Sequence, residues 1–530
     1  MIHDTINQHI QNVLPIYLLD LQDMKLVRRG TVGQYLAHDI AEYIQAHIDG
    51  LMKERDHSTY RRSSQEILRD LTVETKTWIA EKTAYAIFSH RWLDMGELNF
   101  QDVLKFKSLS VHGFRRLIGN RKSGRRILRG TDILDQVNAY SLQTPKNRDD
   151  HLKLLEVMKQ LCGDMSNVER RDCQDFVKLV EFFNISSKYG CNYVWFDSGC
   201  IDKSSSTELE ESIRSMFNWY RNSKICIVHL ADTTSFSDLQ RDPWFTRGWT
   251  LQELLAPKRV KFFGKSWQHI TLDSINDDKD SNFKVPLWEI ISFITRIPLP
   301  TLLDFTPGIE HARDALVWVS NRKTTRIEDI AYCLIGVLSI PFSIAYGEGN
   351  MAFRRLQVEI LQHSHDMGLF AWTGQPSAYN SMLAEGPQCF YELSHQSPLQ
   401  LQPLSMPKTQ TVTNVFDPTC AFTNYGLRIP LSLYTVDSWE ACHVPIFSFM
   451  LWSEKLGDIQ AQFIVKSPNL EDYDDLKIAL LMDLVTTKSS DSIAILLGWK
   501  DGRYKRIPTR KHIILSRLIE PTAPEMIFIE

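Results

Sequence analysis

Three short segments of this 530-residue chain bring together side chains that could do chemistry. The first, Tyr85-Ala86-Ile87-Phe88-Ser89-His90-Arg91-Trp92, runs from an apolar stretch directly into four polar or aromatic residues. The second, Tyr193-Val194-Trp195-Phe196-Asp197-Ser198-Gly199-Cys200-Ile201-Asp202-Lys203, does the same and delivers Asp197. The third, Trp244 to Pro257, carries Arg247, Trp249 and Glu253. In open α/β sheets, ligands sit beyond the carboxyl ends of the strands, so Ser89, His90, Arg91, Trp92 and Asp197 are expected on one rim. Each of them also has a plain structural use. Trp92 can pack in a loop, His90 can make a structural hydrogen bond, and Asp197 or Asp202 can cap a helix. Cys200 has no neighbouring histidine to activate it and reads as a buried structural thiol.

These residues need a scaffold, and the pattern around them predicts one. The apolar runs Ala84 to Ser89, Tyr193 to Asp197, Ile225 to Leu230 and Arg259 to Phe263 read as strands, each linked to the next by polar or helical sequence. Near-continuous apolar strands alternating with helices predict a parallel sheet covered on both faces, hence a doubly wound α/β core. The crossover helix between the second and third strands has Leu209, Ile213, Met216, Phe217 and Tyr220 on one face, with Thr207 and Glu210 at capping-box spacing. A short helix is predicted from Thr250, stopped by Pro257. Its leucines Leu251, Leu254 and Leu255 share one face and Glu253 lies opposite, so the carboxylate is expected to point away from the packed side. A solvated glutamate is the ordinary outcome there.

The expected domains are a helical extension at 1–75, the α/β domain at 76–270 with a long insertion at about 105–184, a mostly helical region at 271–370, and a β-rich domain at 371–530. The basic run from Arg115 to Arg129 falls in the insertion and reads as a solvated surface segment or as one that binds phosphate, nucleic acid or a partner, the solvated reading being the more ordinary. Gly347-Glu348-Gly349 lacks the strand and third glycine of a dinucleotide fingerprint and reads as a turn before an amphipathic helix.

Composition sets outer bounds. Hydrophobic residues make up 43% of the chain and charged residues 23%, which is ordinary for a globular protein and argues against wholesale disorder. A net charge of −4 leaves no global field to draw in nucleic acid, which is not an expected partner. The nine cysteines are scattered with no CxxC pair, so no metal site is expected and reduced, cytoplasmic thiols are. Met1 to Asp20 lacks the basic start and apolar centre of a secretory leader. The longest nearly apolar run, Ala331 to Tyr346, contains Pro341 and is shorter than the ~20 residues a bilayer span needs, so no membrane segment is expected.

The three segments, in this order, resemble the signature blocks of the fungal heterokaryon-incompatibility (HET) domain. The similarity continues through Thr325 to Leu334, Tyr346 to Gln357, Leu369 to Trp372 and Thr423 to Ile429. The long insertion and the N-terminal extension depart from the family pattern. The resemblance implies an effector of incompatibility and regulated cell death that self-associates or binds protein partners. The strand and helix order is also similar to the TIR domain, a flavodoxin-like fold, and Trp249-Thr250-Leu251-Gln252-Glu253-Leu254 looks like the TIR helix motif of Trp followed by Glu-Leu. That second resemblance implies NAD as a substrate rather than a cofactor, cleaved at the nicotinamide glycosidic bond, with the catalytic glutamate falling on Glu253. On it, Trp92 or Trp249 would stack on a ring of the substrate, and Arg91 or Arg247 would meet its pyrophosphate. The alternative is a non-catalytic module whose surface tryptophans mediate assembly.

Overall fold

Tyr85–His90 is buried along its whole length, as a strand with both faces covered must be. It lies inside the first of two compact units, Met1–Trp244 with Gln252–Ile290 and Leu299–Asp304; the second comprises Phe245–Leu251, Ile291–Pro298 and Phe305–Glu530. The computed structural model describes residues 2–23, 25–37, 39–40, 42–43, 45, 64–92, 97–104, 170–271, 276–279, 286–364, 366–391, 420–442, 448–462, 470–485, 492–515 and 524–530. The basic run Arg115 to Arg129 and most of the expected insertion lie outside the described residues.

The first unit holds a six-stranded sheet: β1 (Tyr17–Asp20), β2 (Lys25–Arg28), β3 (Tyr85–His90), β4 (Tyr193–Trp195), β5 (Ile225–His229) and β6 (Val260–Phe263), in the order β2-β1-β4-β3-β5-β6. The strands β4, β3, β5 and β6 are parallel. The hairpin β1-β2 adds antiparallel to β4. The core is therefore α/β with a parallel-containing sheet, and all four strands read from apolar runs are present. The sequence reading has no strand before Tyr85, because Tyr17–Asp20 and Lys25–Arg28 are four residues each and too short to show a period.

Helices cover both faces. Phe88 points from β3 to one face and stacks at 4.5 Å on Phe182 of the helix Arg170–Lys188. Ser89 points to the opposite face, toward the short helix Thr250–Leu255 that follows β5. The crossover helix spans Ser206–Asn222, and its N-cap is Ser205, whose side chain accepts from the Glu208 backbone N–H. The expected cap at Thr207 is thus two residues too late. On β6, Lys261 is fully buried and donates to Asp278 Oδ1 at 2.9 Å, an ion pair that replaces the water the ammonium loses.

The chain leaves β3 toward one edge of the sheet, to β4, and leaves β5 toward the other, to β6. The carboxyl ends of β3 and β5 therefore flank the point where the strand order reverses. Loops diverging from such a point leave a crevice that no crossover fills.

The second unit is helical up to Phe370 and then β-rich. Its amphipathic helix Met351–His363 follows the turn at Gly347 and Gly349, both at positive φ (98° and 59°). Glu328 Oε1 accepts the backbone N–H of both glycines, at 2.9 and 3.0 Å, which fixes the turn. The apolar run that begins at Ala331 takes part in two single turns of helix, Asp329–Tyr332 and Ile335–Leu338.

Farther on, β7 (Gly426–Thr435), β8 (Asp475–Val485), β9 (Ser492–Lys500), β10 (Arg503–Ile507) and β11 (Glu525–Ile529) pair in a closed ring. Every junction is antiparallel except β10 with β11, which touch in parallel at Tyr504 and Ile529. An odd number of strands cannot close on antiparallel pairs alone. Ile478, Leu480, Ala494 and Leu496 join Phe449, Leu451 and Ile459 of an adjoining three-stranded sheet in one apolar cluster.

Candidate functional site

The residues that meet at the reversal point come from three separate stretches of the first unit. Ser89 is the penultimate residue of β3 and is 0% exposed. Its Oγ–H donates to Oε2 of Glu253 at 2.5 Å, and its oxygen accepts the indole N–H of Trp244 at 2.8 Å. Glu253 is 8% exposed, so the expectation that it faces solvent is corrected. The reason is helix length. In a six-residue helix whose Leu251, Gln252, Leu254 and Leu255 are all buried, there is no outer face for a carboxylate to occupy. Burial demands a partner, and Ser89 supplies one. Cys226 on β5 donates its thiol to the Glu253 backbone carbonyl at 3.9 Å. Burial, reinforced by Glu253, pushes that thiol well above its usual range, so it stays protonated and is no nucleophile.

His90, one residue on, points to the other face. Its Nε2 lies 2.8 Å from Oε2 of Glu97, and Lys178 Nζ lies 2.5 Å from Oε1 of the same carboxylate. Burial pushes the Glu97 carboxyl up, but His90 and Lys178 outweigh it and hold Glu97 far below the usual carboxylate range. His90 thus serves in a buried ion cluster. Across the sheet from it in register is His229, pushed down to about 3 by burial and by Lys178, and therefore neutral. Trp267 stacks on His229 at 4.5 Å while holding a φ of 59°, rare for a bulky residue.

Toward solvent the rim carries a second group. Trp92, 39% exposed, donates its indole N–H to Asp197 Oδ2 at 2.8 Å, and Lys203 Nζ sits 3.8 Å from its ring centre. Arg91 lies 3.8 Å from Asp232, both well exposed. Asp197 therefore meets Trp92. The other two sequence candidates, Arg247 and Trp249, belong to the second unit. There Trp249 Nε1–H donates to Asp329 Oδ2 at 3.2 Å, and the Arg247 carbonyl accepts from Arg322 at 2.8 Å. Asp329 also accepts the Tyr346 hydroxyl at 2.8 Å, which links Trp249 to the segment Tyr346 to Gln357 singled out in the sequence.

The partners that sequence reasoning missed are Trp244, Glu97, Lys178 and Trp267. Trp244 stands first in the third segment, but a buried tryptophan carries no periodic cue. Glu97 and Lys178 lie far apart in sequence and meet only through the fold. Trp267 follows β6 and belongs to none of the three segments. Among the described residues there is no cluster of histidine, cysteine and carboxylate that could hold a metal, and no helix is long and apolar enough to cross a membrane.

The family described as Heterokaryon incompatibility protein (HET) matches residues 164–238, a stretch that contains β4, the crossover helix and β5. This stretch of the chain is thus similar to the HET domain. Vegetative incompatibility protein HET-E-1 of Podospora anserina is 40% identical to it over 183 residues, which is 32% of this chain. The chain spans 13% of the length of that relative. No solved structure matches the chain.

Proposed function

We propose that this protein is an effector of heterokaryon incompatibility whose α/β unit hydrolyses NAD to nicotinamide and ADP-ribose, with depletion of NAD in the cytoplasm leading to cell death. The observation that carries the reading is the buried carboxylate of Glu253, fixed 2.5 Å from Ser89 at the carboxyl edge of the parallel sheet. Two further features support it. The parallel strands run second-first-third-fourth, the flavodoxin-like order that TIR domains share, and Ser89 is the penultimate residue of the first strand, at its switch point. Trp249 and Glu253 keep the spacing of the TIR helix motif.

In this reaction the bond between the nicotinamide nitrogen and ribose C1′ breaks. Both electrons go to the ring nitrogen and neutralise its positive charge, so no general acid is needed. Water adds to the ribosyl cation at C1′ and loses a proton to solvent. The Glu253 carboxylate stabilises the cation as it forms, and does so more strongly in a buried site than in water. On the rim, Trp92 offers a stacking face, and Arg91 a charge for the pyrophosphate.

A non-catalytic reading is favoured by one observation: Trp92 is exposed and held rigid by Asp197 and Lys203, as an anchor for a second copy or another protein would be. One experiment separates the two. The full chain is incubated with NAD across a concentration series that spans self-association, and nicotinamide is measured. Hydrolysis that falls by about 100-fold or more in Glu253→Gln, with assembly unchanged, supports the enzyme. Wild type no faster than Glu253→Gln overturns it and leaves assembly as the function.

A further inference from the structure

We propose that Trp244 is a positioning residue for Glu253, acting through Ser89; this rests on the reading of Glu253 as the carboxylate that faces the ribosyl cation. A serine hydroxyl has one proton to give and two lone pairs to offer, and it rotates to suit its surroundings. An indole N–H can only donate. With that N–H seated 2.8 Å from Ser89 Oγ, the hydroxyl proton turns away from it and toward Glu253 Oε2, 2.5 Å away. The direction of the chain, indole to hydroxyl to carboxylate, is therefore set at its innermost member.

Trp244 is itself held. It is fully buried, with its ring edge-on to Phe262 at 6.0 Å and 86°. Its backbone N–H donates to Asp242 Oδ1 at 3.0 Å. The other oxygen of Asp242 accepts the backbone N–H of Asp232 at 3.1 Å and the Thr233 hydroxyl at 2.8 Å, which ties down the loop that leaves β5. Three stretches of chain are thereby joined: the loop after β5 through Trp244, the end of β3 through Ser89, and the helix Thr250–Leu255 through Glu253. A carboxylate that stabilises a developing cation must be held to within about 0.5 Å of its working position, and a chain of fixed donors ending in a buried ring meets that requirement.

The test uses the full chain with NAD as the probe, in a double-mutant cycle. Trp244→Phe lowers kcat by about tenfold or more with KM changed less than about twofold, since it displaces the carboxylate and spares the rim. In a Ser89→Ala background the same change has less than about a twofold effect, because its action runs through that hydroxyl. The benzothiophene analogue of tryptophan at position 244 keeps the ring shape and lacks only the N–H; it reproduces the loss and separates it from a packing defect. Equal losses in both backgrounds, or wild-type kcat with the analogue, overturn the proposal. The indole 1H–15N resonance of Trp244 gives a readout free of turnover. Ser89→Ala and Glu253→Gln each move it if the chain is formed as described, and no movement overturns the proposal whatever the activity. A resonance that moves in a protein that releases no nicotinamide overturns the NAD reading and supports the hydrogen-bonded chain.

Discussion

Ser89 and Glu253 are 164 residues apart in sequence, and their oxygens are 2.5 Å apart at the carboxyl edge of the parallel sheet. The contact joins the first signature segment to the third. Removing the hydroxyl with Ser89→Ala leaves a buried carboxylate oxygen without its donor, at a cost of about 1–3 kcal/mol. Thermal unfolding of Ser89→Ala should show a lower midpoint, and nicotinamide release should fall by about 10-fold or more while Glu253 is still present. An unchanged melting temperature would mean that the hydroxyl is not satisfying the carboxylate.

Glu97 is the anionic centre of a buried cluster, and taking away one partner of such a pair costs about 3–5 kcal/mol. Lys178→Met should therefore destabilise the α/β unit by that order, measured by urea unfolding. The pH dependence has a definite sign. The folded carboxyl titrates below its ordinary value of 4.5, so its contribution is complete above that value and is lost as pH falls from there toward the folded value. Glu97→Gln should flatten the acid limb of stability below pH 4.5.

His229 works in the same direction over a higher window. It is buried neutral, with its value pushed from 6.5 down to about 3, so the unfolded chain binds the extra proton first. Stability attributable to this imidazole is complete above pH 6.5 and is lost progressively as pH falls toward 3. His229→Phe keeps the stack on Trp267 and removes the proton site. Its unfolding midpoint should lose less between pH 6.5 and pH 4 than that of wild type.

Trp92 projects its ring at the rim and touches none of the buried chain. Trp92→Ala should raise KM for NAD several-fold, in line with a lost stacking contact of about 1 kcal/mol, and should change kcat little. A drop in kcat at constant KM would show that the ring acts on the chemistry and not on binding.

Gly264 closes the turn after β6, where an added Cβ would lie 2.6 Å from the Thr233 carbonyl oxygen. Backbone cannot yield as a flexible side chain can. Gly264→Ala should cost about 1–3 kcal/mol, read as a lower unfolding midpoint, and should disturb the neighbouring Trp267.

The sequence alone was enough for the four parallel strands of the core, the short helix ended by Pro257 and the kinship to HET-domain proteins. Each of these is written in consecutive residues. Ala84 to Phe88 and Ile225 to Val228 have no charged or strongly polar interruption, and only a strand covered on both faces needs that pattern. The sequence also carried the names of Ser89, Asp197 and Glu253. What it could not carry was their pairing. The periodic pattern sends Glu253 away from its leucines toward water, and in an isolated helix it would go there. Tertiary packing surrounds that six-residue helix so completely that no solvent face is left, and a buried carboxylate then persists only against a donor. Trp244 with Ser89, Glu97 with Lys178 and His90, and Trp92 with Asp197 are likewise choices of the folded chain. A polar group out of water takes its partner from whichever strand end or loop the topology brings within about 3 Å, and sequence separation does not enter into it.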